Sequence, residues 1–118
     1  MDYGYGLSIM LSKLYRLNKK RDFHRIYLSG NNFKRSFFNI RILQNNLDHV
    51  RIGIVIPNKA CKKSSKRNRF KRILSEIIRK NPKILAANYD IIIYFWQIPD
   101  QETKIKQIEK DLGTILGI

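Results

Sequence analysis

The amino-acid sequence predicts an α+β fold, a single-domain two-layer sandwich in which a β-sheet is backed by helices. Segments of helical apolar spacing alternate with strand-like segments in the order α-β-β-α-β-α, with room for one further short strand near Asn31 to Arg35. A length of 118 residues with 43% hydrophobic content suffices for one core and is too short for two ordinary domains. Residues 14–118 are read as that domain. Residues 1–13 are read as a loose N-terminal extension containing Gly4 and Gly6, with Met10 as an alternative start.

The first helix is expected over Lys19 to Leu28, where Phe23, Ile26 and Tyr27 fall at i, i+3 and i+4 and Gly30 follows to stop it. Asn18 is a candidate N-cap. Ser36 to Gln44 alternates, with Phe38, Ile40 and Ile42 on one face and Phe37, Asn39, Arg41 and Leu43 on the other, as in a strand. The turn signal Asn45-Asn46-Leu47-Asp48 leads to a second strand, Val50 to Ile56, closed by Pro57. After a basic loop, Ser64 or Ser65 is placed to cap a helix in which Phe70, Ile73, Leu74, Ile77 and Ile78 repeat at helical spacing. Asn81-Pro82 ends it. Asp90 to Gln97 is apolar almost throughout, as expected of a strand in the middle of a sheet. Asp100 is a candidate cap for a last helix with Ile105, Ile108, Leu112, Ile115 and Leu116 on one side.

Charge bounds the function. Lys and Arg number 24 against 9 Asp and Glu, a net +15 that a small domain carries most readily when an anionic partner relieves its self-repulsion. Residues 1–80 hold 20 of the basic residues and 4 acids, so the basic surface belongs to the first two thirds. A single cysteine, Cys61, cannot form an internal disulfide and fits a reducing cytoplasm. No apolar run is long enough to span a bilayer, and the start lacks the basic region and cleavage site of a signal peptide.

Ten basic residues and one acid, Glu76, lie between Lys59 and Lys80. At 100° per residue the apolar stripe centres near Phe70 and Ile77, leaving Asn68, Arg69, Arg72 and Arg79 on the open side and Arg67 and Lys71 at the edge. Guanidinium groups donate two parallel hydrogen bonds to phosphate, and a helix N-terminus near Ser64 adds unpaired N–H groups. A face evolved only for solubility mixes signs; this one does not. Nucleic acid is the expected partner, and composition leaves RNA and DNA open.

Arg51-Ile52-Gly53-Ile54-Val55-Ile56-Pro57-Asn58-Lys59, followed by Lys66-Arg67-Asn68-Arg69-Phe70-Lys71-Arg72, resembles the signature of the bacterial ribonuclease P protein family: an R-[IV]-G strand, a lysine loop, then a helix opening R-N-R and continuing to K-R. The resemblance runs upstream through Leu17, Asp22-Phe23, Tyr27 and Gly30, and downstream to Asp90-Ile91-Ile92-Ile93. It implies an accessory subunit that helps a catalytic RNA trim the 5′ leader of precursor tRNA. Carried over, Arg67, Asn68, Arg69, Lys71 and Arg72 dock on the catalytic RNA, with Lys59, Lys62, Lys63 and Lys66 alongside. Phe23 and Tyr27, partly exposed, line a cleft for the single-stranded leader together with Asn39 and Arg41, since aromatic faces stack on unpaired bases. Plain core packing of the first helix is the competing reading for the two aromatics. Asn58, Cys61, Ser64-Ser65 and Arg41 depart from the family's pattern.

No catalytic site is expected in the protein. His24 and His49 are far apart, Cys61 has no obvious histidine partner, and no carboxylate cluster offers a metal site or an acid–base pair. The resemblance implies that Mg²⁺ is held by the RNA subunit and none by protein side chains. A ribosomal or other structural RNA-binding protein is the runner-up. DNA binding ranks lower, because a strand and loop precede the basic helix where a helix-turn-helix would need another helix. A nuclease acting alone ranks last.

Overall fold

A computed structural model describes residues 12–99 and 102–118. Strands β1 (Asn31–Lys34), β2 (Phe38–Gln44), β3 (Arg51–Val55) and β4 (Tyr89–Phe95) form one sheet in the order β1-β2-β4-β3. The helices are α1 (Lys20–Ser29), α2 (Ser64–Arg79), a single turn α3 (Pro82–Leu85) and α4 (Glu102–Leu116). The expected order holds, and the optional short strand is β1. The apolar run starting at Asp90 is central, antiparallel to β2 and parallel to β3. Strands β2 and β3 are consecutive in sequence, yet β4 lies between them.

Alternation sorts the sheet into two faces. On one, Phe38, Ile40, Ile42, Ile52, Ile54, Ile91, Ile93 and Phe95 pack against Phe70, Leu74 and Ile78 of α2 and Ile105, Ile108 and Leu112 of α4. On the other, α1 covers part of the sheet: Leu17, Phe23 and Ile26 join Val55 and Ile92 in a second, smaller core. The sandwich therefore carries helices on both faces of its sheet. Leu17 also closes the outer edge of β3, donating its N–H to the Ile52 carbonyl at 3.0 Å.

Local signals place the boundaries. Gly30 caps α1 with φ −77°, so its role is close approach and not a left-handed turn; a Cβ there would meet the Ile26 carbonyl oxygen at 2.6 Å and that of Ile42 at 2.9 Å. Asn45 makes the turn after β2, its Oδ1 accepting from the Leu47 N–H at 3.0 Å. Asn81 caps α3, accepting from the Ile84 N–H, with Pro82 in the first turn. Three capping expectations fail or fall outside the description. Lys19 takes the cap position assigned to Asn18, and Lys63 takes that assigned to Ser64 or Ser65; neither makes a side-chain capping bond. Arg67, in the first turn of α2, ties the preceding loop to the helix through its bonds to the Cys61 and Lys62 carbonyls. Asp100 and almost all of the 1–13 extension lie outside the described residues. No described helix is long and apolar enough to cross a membrane.

Candidate nucleic-acid interface

The basic segment starts where β3 ends. Beyond Val55 the chain leaves the sheet through the loop carrying Lys59, Lys62 and Lys63, all exposed, and enters α2. Lys66, Asn68, Arg69 and Arg72 are exposed on α2, as expected. Among the described residues, no carboxylate lies within ion-pair distance of Lys59, Lys62, Lys63, Lys66, Arg69 or Arg72. Six cations on one loop and the first half of one helix thus lack a charge partner among those residues, an arrangement that attracts a polyanion.

Two members of the expected array do other work. Arg67 folds its guanidinium back on the loop, where Nη1 donates to the Cys61 carbonyl at 2.7 Å and the Lys62 carbonyl at 3.1 Å. It fixes the loop as much as it faces outward. Lys71, expected at the helix edge, is only 3% exposed. The buried side of α2 comprises Phe70, Lys71, Leu74, Ser75 and Ile78, so it is turned toward Lys71 and Ser75 from the expected centre by about 80° at 100° per residue. Ile73 and Ile77 are half-buried at the junction with α4, lining a groove with Arg72, Lys80 and Lys106. The shift follows from contact with sheet, α3 and α4 together, which a single apolar stripe does not encode. Farther along, Arg79 and Lys80 are held by Glu76 and contribute less free charge.

The second expected set lies on the opposite face of the sheet. Tyr27 is half-buried at the end of α1, and the Arg41 guanidinium lies 5.7 Å from its ring centre. Arg41 Nη1 donates to the Tyr27 carbonyl at 3.0 Å, placing a cation at the C-terminus of α1, where the helix dipole favours it. Asn39, one row away on the same face, donates from Nδ2 to Asn32 Oδ1 at 2.6 Å. Phe23 departs from expectation. It is 1% exposed: α1 packs over β2 and β4, and the Phe23 ring reaches across to Gly53 of β3, where the absence of a side chain leaves room for it. The competing core reading is correct for Phe23; Tyr27 is half-buried and packs against the edge of the same small core.

Sequence reasoning missed what ties α1 to the sheet. Asp90, fully buried at the start of β4, accepts from Arg51 Nε at 2.9 Å and Nη2 at 2.6 Å, from Arg25 Nη2 at 2.6 Å and from Asn45 Nδ2 at 3.0 Å. Asp22 lies 3.4 Å from Arg51 and 3.6 Å from Arg25. Burial pushes the Asp90 carboxyl up, but the bonds from Arg51, Asn45 and Arg25 outweigh it and hold the group below its ordinary range. Burial opposes charge on Arg51 too, yet the bond to Asp90 is the larger effect and raises its pKa. An aspartate beginning an otherwise apolar strand was the available signal. Among the described residues, no group of three or more His, Cys, Asp and Glu stands close enough to hold a metal ion.

Comparison with known proteins gives one answer. Residues 11–118 match the family described as Ribonuclease P. The ribonuclease P protein component of Pseudanabaena sp. is 31% identical over 109 residues, 92% of this chain and 93% of that protein. The Thermotoga maritima component is 35% identical over 78 residues, which span 66% of each chain. Among solved structures, the Staphylococcus aureus RNase P protein superposes with a TM-score of 0.70 at 28% identity, covering 86% of this chain and 94% of that one.

Proposed function

The chain belongs to the bacterial ribonuclease P protein family, and from that premise we propose that it is the accessory subunit of an RNA-based endoribonuclease that removes the 5′ leader of precursor tRNA. The observation that carries the reading is the division of labour across the sheet. Lys59, Lys62, Lys63, Lys66, Arg69 and Arg72, without a charge partner among the described residues, offer a phosphate-binding surface on one side. On the other, Tyr27, Arg41 and Asn39 form a narrow floor suited to an unpaired strand.

In this reading Lys59, Lys62, Lys63, Lys66, Asn68, Arg69 and Arg72 dock on the catalytic RNA, while Arg67 shapes the loop that presents them. Tyr27 stacks on a leader base, Arg41 and Asn39 contact its backbone, and Phe23 supports the floor from beneath. Lys71, buried in α2, supports the helix and does not reach the RNA. Among the described carboxylates, Asp22 and Asp90 are held by arginines and Glu76 by Arg79. In this reading, as the family resemblance implies, Mg²⁺ and the hydrolytic step belong to the RNA subunit, and the protein acts by binding substrate and neutralising charge.

Reconstitution tests this. The purified chain, added to a bacterial ribonuclease P RNA at low Mg²⁺, should restore precursor-tRNA cleavage, and the chain alone should cleave nothing. Tight binding to that RNA without activation would favour a structural RNA-binding protein. Cleavage by the chain alone would overturn the assignment of catalysis to RNA.

A further inference from the structure

Between α2 and the turn that follows β4 the surface opens into a groove of ≈ 380 Å³. Phe70 and Ile73 of α2, Ile105 of α4 and Ile98 and Pro99 of the turn make its floor and walls. Phe70 and Ile105 are buried, whereas Ile73, Ile98 and Pro99 keep part of their surface in water. Lys66 and Arg69, both exposed, complete the lining, and no carboxylate joins it among the described residues. Farther along α2 a second groove, of ≈ 610 Å³, shares Ile73 but adds Glu76 and Glu109 to Arg72, Lys80 and Lys106. The sign of the charge therefore divides the helix. The stretch nearer the basic loop is apolar with cations alone, and the stretch beyond Ile73 is mixed.

Lys66 and Arg69 also belong to the phosphate-binding surface, so an RNA docked on them has its backbone laid along the edge of an apolar recess. We infer that this recess receives one unstacked base of the catalytic RNA, whose flanking phosphates meet Lys66 and Arg69. The inference rests on the RNA-docking reading above and adds to it a contact that a phosphate surface lacks. Phosphate contacts position an RNA without reading it, whereas an extruded base held between side chains fixes the register of the whole interface. The lining suits such a guest. A planar base takes the half-exposed surfaces of Ile73, Ile98 and Pro99 out of water, and the Arg69 guanidinium can lie flat on its outer face. An apolar peptide in the same place would strip water from two unpaired cations and offer no anion in return.

Ile98 carries the test, because it is half-buried on a turn and packs only against the edge of the core. Ile98→Asn should weaken binding to a bacterial ribonuclease P RNA roughly 5-fold to 150-fold, the range for one base contact, and leave the log–log salt slope unchanged. Thermal melting checks that the variant is folded, and Ile98→Leu should retain the affinity. An abasic scan of the nucleotides protected by the bound chain then identifies the base. One abasic site should cost the wild-type chain a similar factor and cost Ile98→Asn little more, which is the coupling expected of two groups in contact. Abasic penalties equal for wild type and Ile98→Asn at every protected nucleotide would overturn the inference and leave RNA docking intact. A fall in salt slope on Ile98→Asn as large as that on Arg69→Ala would overturn it too, by making the turn part of the phosphate surface. Failure of the wild-type chain to bind the RNA would overturn both readings.

Discussion

The Phe23 ring occupies the space that a side chain on residue 53 would need: a Cβ built on Gly53 would lie 2.6 Å from Phe23 Cζ. The R-[IV]-G pattern of β3 therefore has a packing cause. The glycine lets α1 approach the sheet closely enough to bury an aromatic ring, and that approach sets the height of Tyr27 above Arg41. Gly53→Ala should destabilise the fold by about 1–3 kcal/mol through overpacking, and Phe23→Ala by about 3–5 kcal/mol through the cavity it leaves. The double variant should be less destabilised than the sum, because the new methyl enters the new cavity. Urea unfolding of the four proteins checks this; strict additivity would mean that the two residues do not meet.

The Asp90 network predicts a defined pH dependence. The folded-state carboxyl is lowered, so its stabilisation is complete above the unfolded value of about 3.9 and is lost as pH falls through the folded value. Removing one partner of a buried ion pair costs about 3–5 kcal/mol, and Asp90→Asn should cost an amount of that order at neutral pH. The stability gap between wild type and variant should stay constant down to about pH 4 and narrow below it. A gap that narrows between about pH 8 and pH 5 would assign the effect to another group.

Arginines on the basic segment should separate by role. Replacing Arg69 and Arg72 with Ala should weaken binding to the catalytic RNA and reduce the log–log salt slope by roughly 0.7–0.9 for each phosphate that is no longer neutralised. Arg67→Ala removes the bonds to the Cys61 and Lys62 carbonyls, so it should also raise proteolytic nicking of the loop. Lys71→Ala should lower melting temperature with little change in slope, since that residue is buried. A drop in slope on Lys71→Ala as large as that for Arg69→Ala would place its charge on the RNA.

Tyr27 and Phe23, one helical turn apart, should behave differently. Tyr27→Ala should reduce affinity for leader-bearing precursor roughly 5-fold to 150-fold, spare mature tRNA, and cost less stability than Phe23→Ala. Parallel losses for both tRNAs would make Tyr27 a packing residue as well.

Sequence alone determined the order of elements, the central place of the strand after Asp90, the exposure of Lys66, Asn68, Arg69 and Arg72, and the family. Each of these is carried by local information: periodicity of 2 or 3.6, turn residues, and a spaced motif. Tertiary structure decided what depends on contacts between distant segments. The burial of Phe23 required β3 to present Gly53 to its ring, and the burial of Lys71 required α2 to turn its inner side to fit the sheet, α3 and α4 at once. The partners of Asp90 come from α1, the turn after β2, and β3, up to 65 residues away in sequence. Along β4, Ile92 lies buried against α1, while Tyr94 and Trp96 beyond it are only half-buried. No local pattern records that, since the apolar run of β4 reads alike where it is covered and where it is bare.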